Sequence, residues 1–163
     1  MMKKPLVLTL ILGLVSGANA ALSLVGEPTD PIAIGETITI GVESDAAGAY
    51  SGWLSIEDPA IADFQNVVFT AEGDPSGNST VTPHPEFGAW YEFTVASFSP
   101  TNPIAPGEHI QMTVTGIGEG ATTLTLYASD GVTALDSANI TVVPEPMTIA
   151  LLGLASLLLR RRA

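Results

Sequence analysis

Two-residue alternation of apolar and polar side chains constrains this chain more than any other feature. In Glu36–Ser44, ETITIGVES, Ile38, Ile40 and Val42 alternate with Thr37, Thr39 and Gly41. Successive side chains of a strand point to opposite sides, so this run presents one apolar and one polar face. The pattern returns with Ile110, Met112 and Val114, with Leu124 and Leu126, and with Ile140 and Val142. Leu22 and Leu24, Leu54 and Ile56, Val67 and Phe69, and Tyr91, Phe93 and Val95 supply further strands. Stretches such as GEPTDP, EGDPSGNST, SPTNPIAPGE and GIGEG separate them and are rich in turn residues. Between residues 21 and 143 no segment carries a long 3.6-residue apolar period. These signals predict an all-β fold, an antiparallel β-sandwich of seven to nine strands. Asp58–Asp63 offers a single helical turn, with Asp58 as cap and Pro59 at its first position. Gly73 to Phe87 is expected to be a mobile loop.

The two ends differ in kind from this body. Residues 1–20 place Lys3 and Lys4 ahead of an apolar run and close on Ala18-Asn19-Ala20, the pattern of a secretory signal helix cut after Ala20. Residues 144–163 begin Pro144-Glu145-Pro146, continue through the apolar Met147–Leu159, and finish with Arg160, Arg161 and Arg162 before Ala163. About 13 helical residues cover only about 20 Å, short of a hydrocarbon core of about 30 Å. Arginine snorkelling and a locally thinned bilayer make up the difference, and the arginines orient this membrane helix with its end in the cytoplasm. The body, residues 21–143, is then one exported domain.

The C-terminal pattern resembles a PEP-CTERM sorting signal, carried by Pro144-Glu145-Pro146, the hydrophobic helix and the arginine cluster in that order. The resemblance implies recognition in the inner membrane of a Gram-negative-type bacterium by an exosortase, a cysteine-type processing enzyme, after delivery by the secretion machinery. It further implies release to the cell surface or the exopolysaccharide matrix. Two prolines deny backbone donors and favour an extended segment, the form a processing enzyme needs.

The chain has no cysteine, so an exported domain of this kind holds together without disulfides. All five basic side chains lie in the two ends, and residues 21–143 contain no lysine or arginine. Phosphate neutralisation needs a basic surface, so nucleic-acid binding is excluded as a function of this body. Without bases there are no ordinary salt bridges, and stability rests on apolar burial and the strand ladders.

Stretches of the body resemble the cohesin-like sandwiches related to carbohydrate-binding folds: Ile34-Gly35-Glu36-Thr37, Trp53 to Phe64, and Gly118-Glu119-Gly120-Ala121 before Leu124. Cohesins dock a calcium-loaded dockerin. The resemblance implies the fold and, in the absence of residues that mark that docking face, not the partner.

Catalytic chemistry has weak support. No Gly-x-Ser-x-Gly elbow is present, and His84 and His109 stand apart and read as surface residues. No cysteine exists and the histidines lack ligand spacing, so no zinc site is expected. Glu57, Asp58, Glu86 and Glu92 are the carboxylates available for acid–base work, and in so acidic a body pairs arise by chance. The body is therefore read as non-catalytic and without a cofactor. Asp130 and Asp136 are weak calcium candidates, since EF-hand spacing is absent. Taken literally, alternation places Trp53 and Trp90 on the polar faces of their strands, Trp53 with Ser55 and Glu57, Trp90 with Glu92 and Thr94. Indoles beside carboxylates form a platform for a sugar ring, although a large aromatic also serves to cover a sheet end. The expectation is an exported adhesion protein that holds exopolysaccharide or another surface protein through Trp53 and Trp90. The alternative is a calcium-dependent assembly domain permanently anchored in the membrane.

Overall fold

The computed structural model describes residues 21–85 and 88–145. The signal cleavage residues Ala18 and Ala20, the carboxylate Glu86, and Pro146 with the membrane helix and Arg160, Arg161 and Arg162 lie outside the described residues. No helix among the described residues is long and apolar enough to cross a membrane.

Ten strands form among the described residues: β1 (Leu22–Val25), β2 (Ile32–Ala33), β3 (Thr37–Ser44), β4 (Tyr50–Ile56), β5 (Ala62–Phe69), β6 (Thr80–Pro83), β7 (Trp90–Val95), β8 (Gly107–Gly116), β9 (Gly120–Tyr127) and β10 (Ala134–Val143). They build a four-stranded sheet, β1-β3-β8-β5, and a six-stranded sheet, β2-β10-β9-β4-β7-β6. The expected count of seven to nine is corrected to ten, and both additional strands are short edges. β2 is two residues long, too short to show a period, and pairs in parallel with β10 through Val142↔Ile32, so the sandwich is not wholly antiparallel. β6 falls inside the stretch expected to be a loop. Its TVTP carries one apolar residue and a proline, which an edge strand tolerates because one side of its ladder is open. The turn ahead of it is also pinned, since Ser79 N donates to Asp74 Oδ1 at 2.8 Å and Ser79 Oγ donates to the Gly73 carbonyl at 2.7 Å.

The alternation seen in the sequence becomes the core. Ile40 and Val42 of β3 and Ile110, Met112 and Val114 of β8 are fully buried, as are Leu54 of β4, Phe93 and Val95 of β7, Leu124 and Leu126 of β9, and Ile140 of β10. Each such side chain stabilises the fold by about 1.5–3 kcal/mol relative to exposure. Asp58 caps the turn that follows β4, as expected: Ala60 N donates to its Oδ1 at 3.0 Å, and Ile61 N to its carbonyl at 3.1 Å. That single turn reverses the chain from the six-stranded sheet into the four-stranded one.

Candidate ligand-binding face

The inner face of β4 carries Leu54 and Ile56, which leaves Ser51, Trp53 and Ser55 pointing away from the core. Cross-strand register then assembles a site on the solvent side of the six-stranded sheet. Trp53 pairs with Tyr127 of β9 on one side and with Glu92 of β7 on the other. Ser55 pairs with Thr125 and with Trp90 in the same way. Side chains opposite one another in a ladder share a face, so three adjacent strands deliver Trp53, Trp90 and Tyr127 to one patch.

These rings pack on each other. Trp90 and Tyr127 lie nearly parallel, 14° apart with centroids at 5.4 Å, although β4 separates their strands. The indole therefore crosses β4 over Ser55, whose small side chain leaves room for it and which is only 5% exposed despite facing outward. Trp53 meets Trp90 edge-on at 6.4 Å and tilts against His84 at 5.9 Å. The turn after β9 also reaches Trp53, for a Cβ built on Gly131 would stand 3.5 Å from the indole Nε1. Trp53 thus serves in part to support that turn. Trp90 and Tyr127, and not Trp53, line the groove beside the patch.

Beside that pair lies a groove of about 460 Å³ lined by Ser55, Ile56, Glu57, Trp90, Thr123, Thr125 and Tyr127. Its size falls within the usual range of small-ligand sites, about 300–1,000 Å³. Hydroxyls of Ser55, Thr123 and Thr125 supply donors and acceptors, Glu57 supplies a negative charge, and the rings supply an apolar wall. The end of the groove is set by the backbone, where Ile56 N donates to Ala89 O and Glu57 N to Thr123 O, at 3.1 and 3.0 Å.

The other sequence candidates fall elsewhere. Asp130 accepts from Val132 N and Thr133 N through Oδ1, both at 2.9 Å, and from Thr133 Oγ1 through Oδ2 at 2.6 Å. The Thr133 hydroxyl, with these backbone donors, holds its carboxyl down to about 2. Asp136 accepts from Leu24 N through Oδ2 at 2.8 Å, tying the open edge of β1 to β10 of the other sheet, and from Ser137 N through Oδ1 at 2.8 Å. Both side chains are engaged as acceptors in the turn and sheet corner. Among the described residues, no group of three or more His, Asp or Glu side chains is placed to hold a metal ion. Asp58 is engaged as a cap, and Glu92 and Glu57 lie on the outer face. His109, read as a surface residue, is instead fully buried, and this is a correction. It is the third residue of β8, its ring stands against Tyr50 with the centroids 5.6 Å apart, and both ring nitrogens are hydrogen-bonded.

Alternation alone had singled out the two tryptophans. It also places Tyr127 on the same polar face, two residues beyond Thr125, but nothing local shows that β9 and β7 flank β4. That neighbourhood is a property of topology, and with it come Tyr127 and the groove.

The two sheets define a cohesin-like β-sandwich. Among solved structures, the seventh ScaB type I cohesin from Pseudobacteroides cellulosolvens is similar at 14% identity, with a TM-score of 0.55 over 76% of this chain and 92% of that one. A cohesin module from a Clostridium perfringens family 33 glycoside hydrolase is 14% identical, TM-score 0.54, covering 78% of this chain and all of that one (100%). A type I cohesin–dockerin complex from Clostridium thermocellum gives 12% identity and a TM-score of 0.53, over 78% of this chain and 98% of that chain. At such identities the likeness is one of fold. No protein-family model matches the chain, and no curated protein matches it.

Proposed function

We propose that this protein is an exported, non-catalytic adhesion module that holds glycan of the cell surface or extracellular matrix in the groove beside Trp90 and Tyr127. The near-parallel Trp90–Tyr127 pair bordering a hydroxyl-lined groove carries this reading. Sugar rings offer C–H groups to an aromatic face and hydroxyls to polar neighbours, and this groove has both. Intrinsic tryptophan fluorescence of the protein titrated with polysaccharide from its own matrix is expected to shift saturably. Trp90→Ala is expected to weaken that binding about tenfold, the loss of roughly one aromatic contact, with the fold retained because the ring lies outside the core. Unchanged affinity in Trp90→Ala sinks the assignment of this face.

A second reading is a protein-docking module. Its support is the cohesin-like fold, since the Clostridium thermocellum neighbour was solved as a complex with a dockerin. Saturable capture of one surface protein, unaffected by competing glycan, selects it over the first.

We also propose that residues 144–163 act as a sorting signal, cut near Pro144-Glu145-Pro146 by an exosortase-type enzyme in the inner membrane after a signal peptide is removed at Ala20. The order of Pro-Glu-Pro, apolar run and arginines supports this, as does the exposure of Glu145 just past the last strand, whose final ladder contact is Ile34 N to Val143 O at 3.0 Å. Intact mass of the protein from surface or medium fractions is expected to correspond to a chain from Ala21 to about Glu145. A chain retaining Arg162-Ala163 in the membrane makes the tail a permanent anchor instead.

A further inference from the structure

We infer that the groove takes a sugar ring bearing a free amine, with the Glu57 carboxylate as its counter-charge. The inference rests on the glycan reading above and narrows it to one ligand chemistry. It starts from how the carboxylates of this domain are used. Asp45, Asp74, Asp130 and Asp136 each accept backbone N–H groups, and Glu36 and Asp58 do the same in their turns. Those acids are structural. Glu57 belongs with the carboxylates that carry no side-chain hydrogen bond to the described residues, Glu43 and Glu92 among them, and what sets it apart is its place: it is exposed and lines the groove with Trp90 and Tyr127. A carboxylate that does nothing for the fold, set beside two aromatic rings, is a charge available to a ligand.

The sign of the ligand follows from the rest of the body. Residues 21–143 contain no lysine or arginine to neutralise a uronate or a sulfated sugar, so an anionic glycan is repelled both at Glu57 and by the surrounding surface. A neutral sugar satisfies the rings and the hydroxyls of Ser55, Thr123 and Thr125 and can donate a hydroxyl to Glu57, but it leaves the charge of that carboxylate unneutralised. An ammonium on the ring satisfies all three, because the negative faces of indole and phenol attract a cation as the carboxylate does. An amine-bearing sugar thus uses the rings, the hydroxyls and the charge of the groove together.

The test is a matched pair of short oligosaccharides, glucosamine oligomers and their N-acetylated counterparts, which share a backbone and differ in charge. Both are titrated into the full chain held in detergent micelles, following tryptophan fluorescence at a pH where the amine is protonated. The free-amine oligomer is expected to bind about tenfold more tightly, with the preference shrinking at high salt. Glu57→Gln is expected to abolish the preference, so that the two oligomers bind the variant alike. Glu43→Gln, on β3 of the opposite sheet, controls for bulk charge. Equal binding of the two oligomers, or a loss in Glu43→Gln as large as in Glu57→Gln, overturns the amine assignment and leaves the glycan face standing. Failure of both oligomers and of matrix polysaccharide to bind overturns the glycan face itself.

Discussion

Phe93→Ala is expected to lower the unfolding free energy by about 3–5 kcal/mol, a large part of the total for a domain of this size. Phe93 is among the largest side chains in the protein with no exposed surface, and it lies centrally on β7 facing the opposite sheet. Its ring meets Tyr50 edge-on at 6.1 Å and fills the space over Gly52, where an added Cβ would stand 2.7 Å from Phe93 Cζ and 2.7 Å from the Tyr127 carbonyl oxygen. Truncation removes those contacts, and the ladders on either side of β7 prevent the sheet from closing the gap, so the cavity persists. Gly52→Ala tests the same packing from the other side, because the obstructing carbonyl is backbone that cannot rotate away. Urea unfolding measures both. A Phe93→Ala loss below about 1 kcal/mol means that the core relaxes around this position, and the central packing described here is then wrong.

The periodic strands were legible because each needs only local information: Ile38, Ile40 and Val42 announce a face without reference to any partner. Trp53 and Trp90 were legible as outward-facing for the same reason. What pairs with what was not legible. That Trp90 reaches across Ser55 to Tyr127 depends on β7 and β9 flanking β4, which are separated by long stretches of chain and joined by no hairpin. The two missed strands lacked any period to read, since Ile32–Ala33 is stabilised by its neighbour β10 and Thr80–Pro83 by β7. Position in the sequence also misled for His109. It begins an alternating run next to exposed-looking proline and glycine turns, yet β8 is an inner strand of its sheet, and Ala105 of the preceding loop meets the ring with its carbonyl. Burial of a polar side chain is decided by whether partners await it, and those partners come from distant strands.

Those partners make the second large effect specific. The Nε2 of His109 lies 2.7 Å from the Ala105 carbonyl oxygen, which has no proton to give, so Nε2 carries the hydrogen and donates. In the neutral imidazole Nδ1 then presents a lone pair to Tyr50, whose hydroxyl donates to it at 2.7 Å. Burial pushes the Tyr50 phenol well above its ordinary range, which keeps that hydrogen in place at any physiological pH. The folded state therefore holds this proton more firmly than the unfolded chain, and the contribution is complete at neutral pH and lost as pH rises past about 10. Tyr50→Phe keeps the ring but leaves Nδ1 buried without a donor, an expected cost of about 1–3 kcal/mol. His109→Ala is expected to cost about 3 kcal/mol or more, since it empties a fully buried site and strands both the Tyr50 hydroxyl and the Ala105 carbonyl. The double variant decides between packing and hydrogen bonding. If the Tyr50–His109 bond matters as the geometry indicates, the two losses fall short of additive by about 1 kcal/mol or more, because each single change already breaks the shared bond. Strictly additive losses in a chemical-denaturation cycle show that each ring acts through its apolar contacts alone, and the loop over His109 is then held by burial rather than by the imidazole.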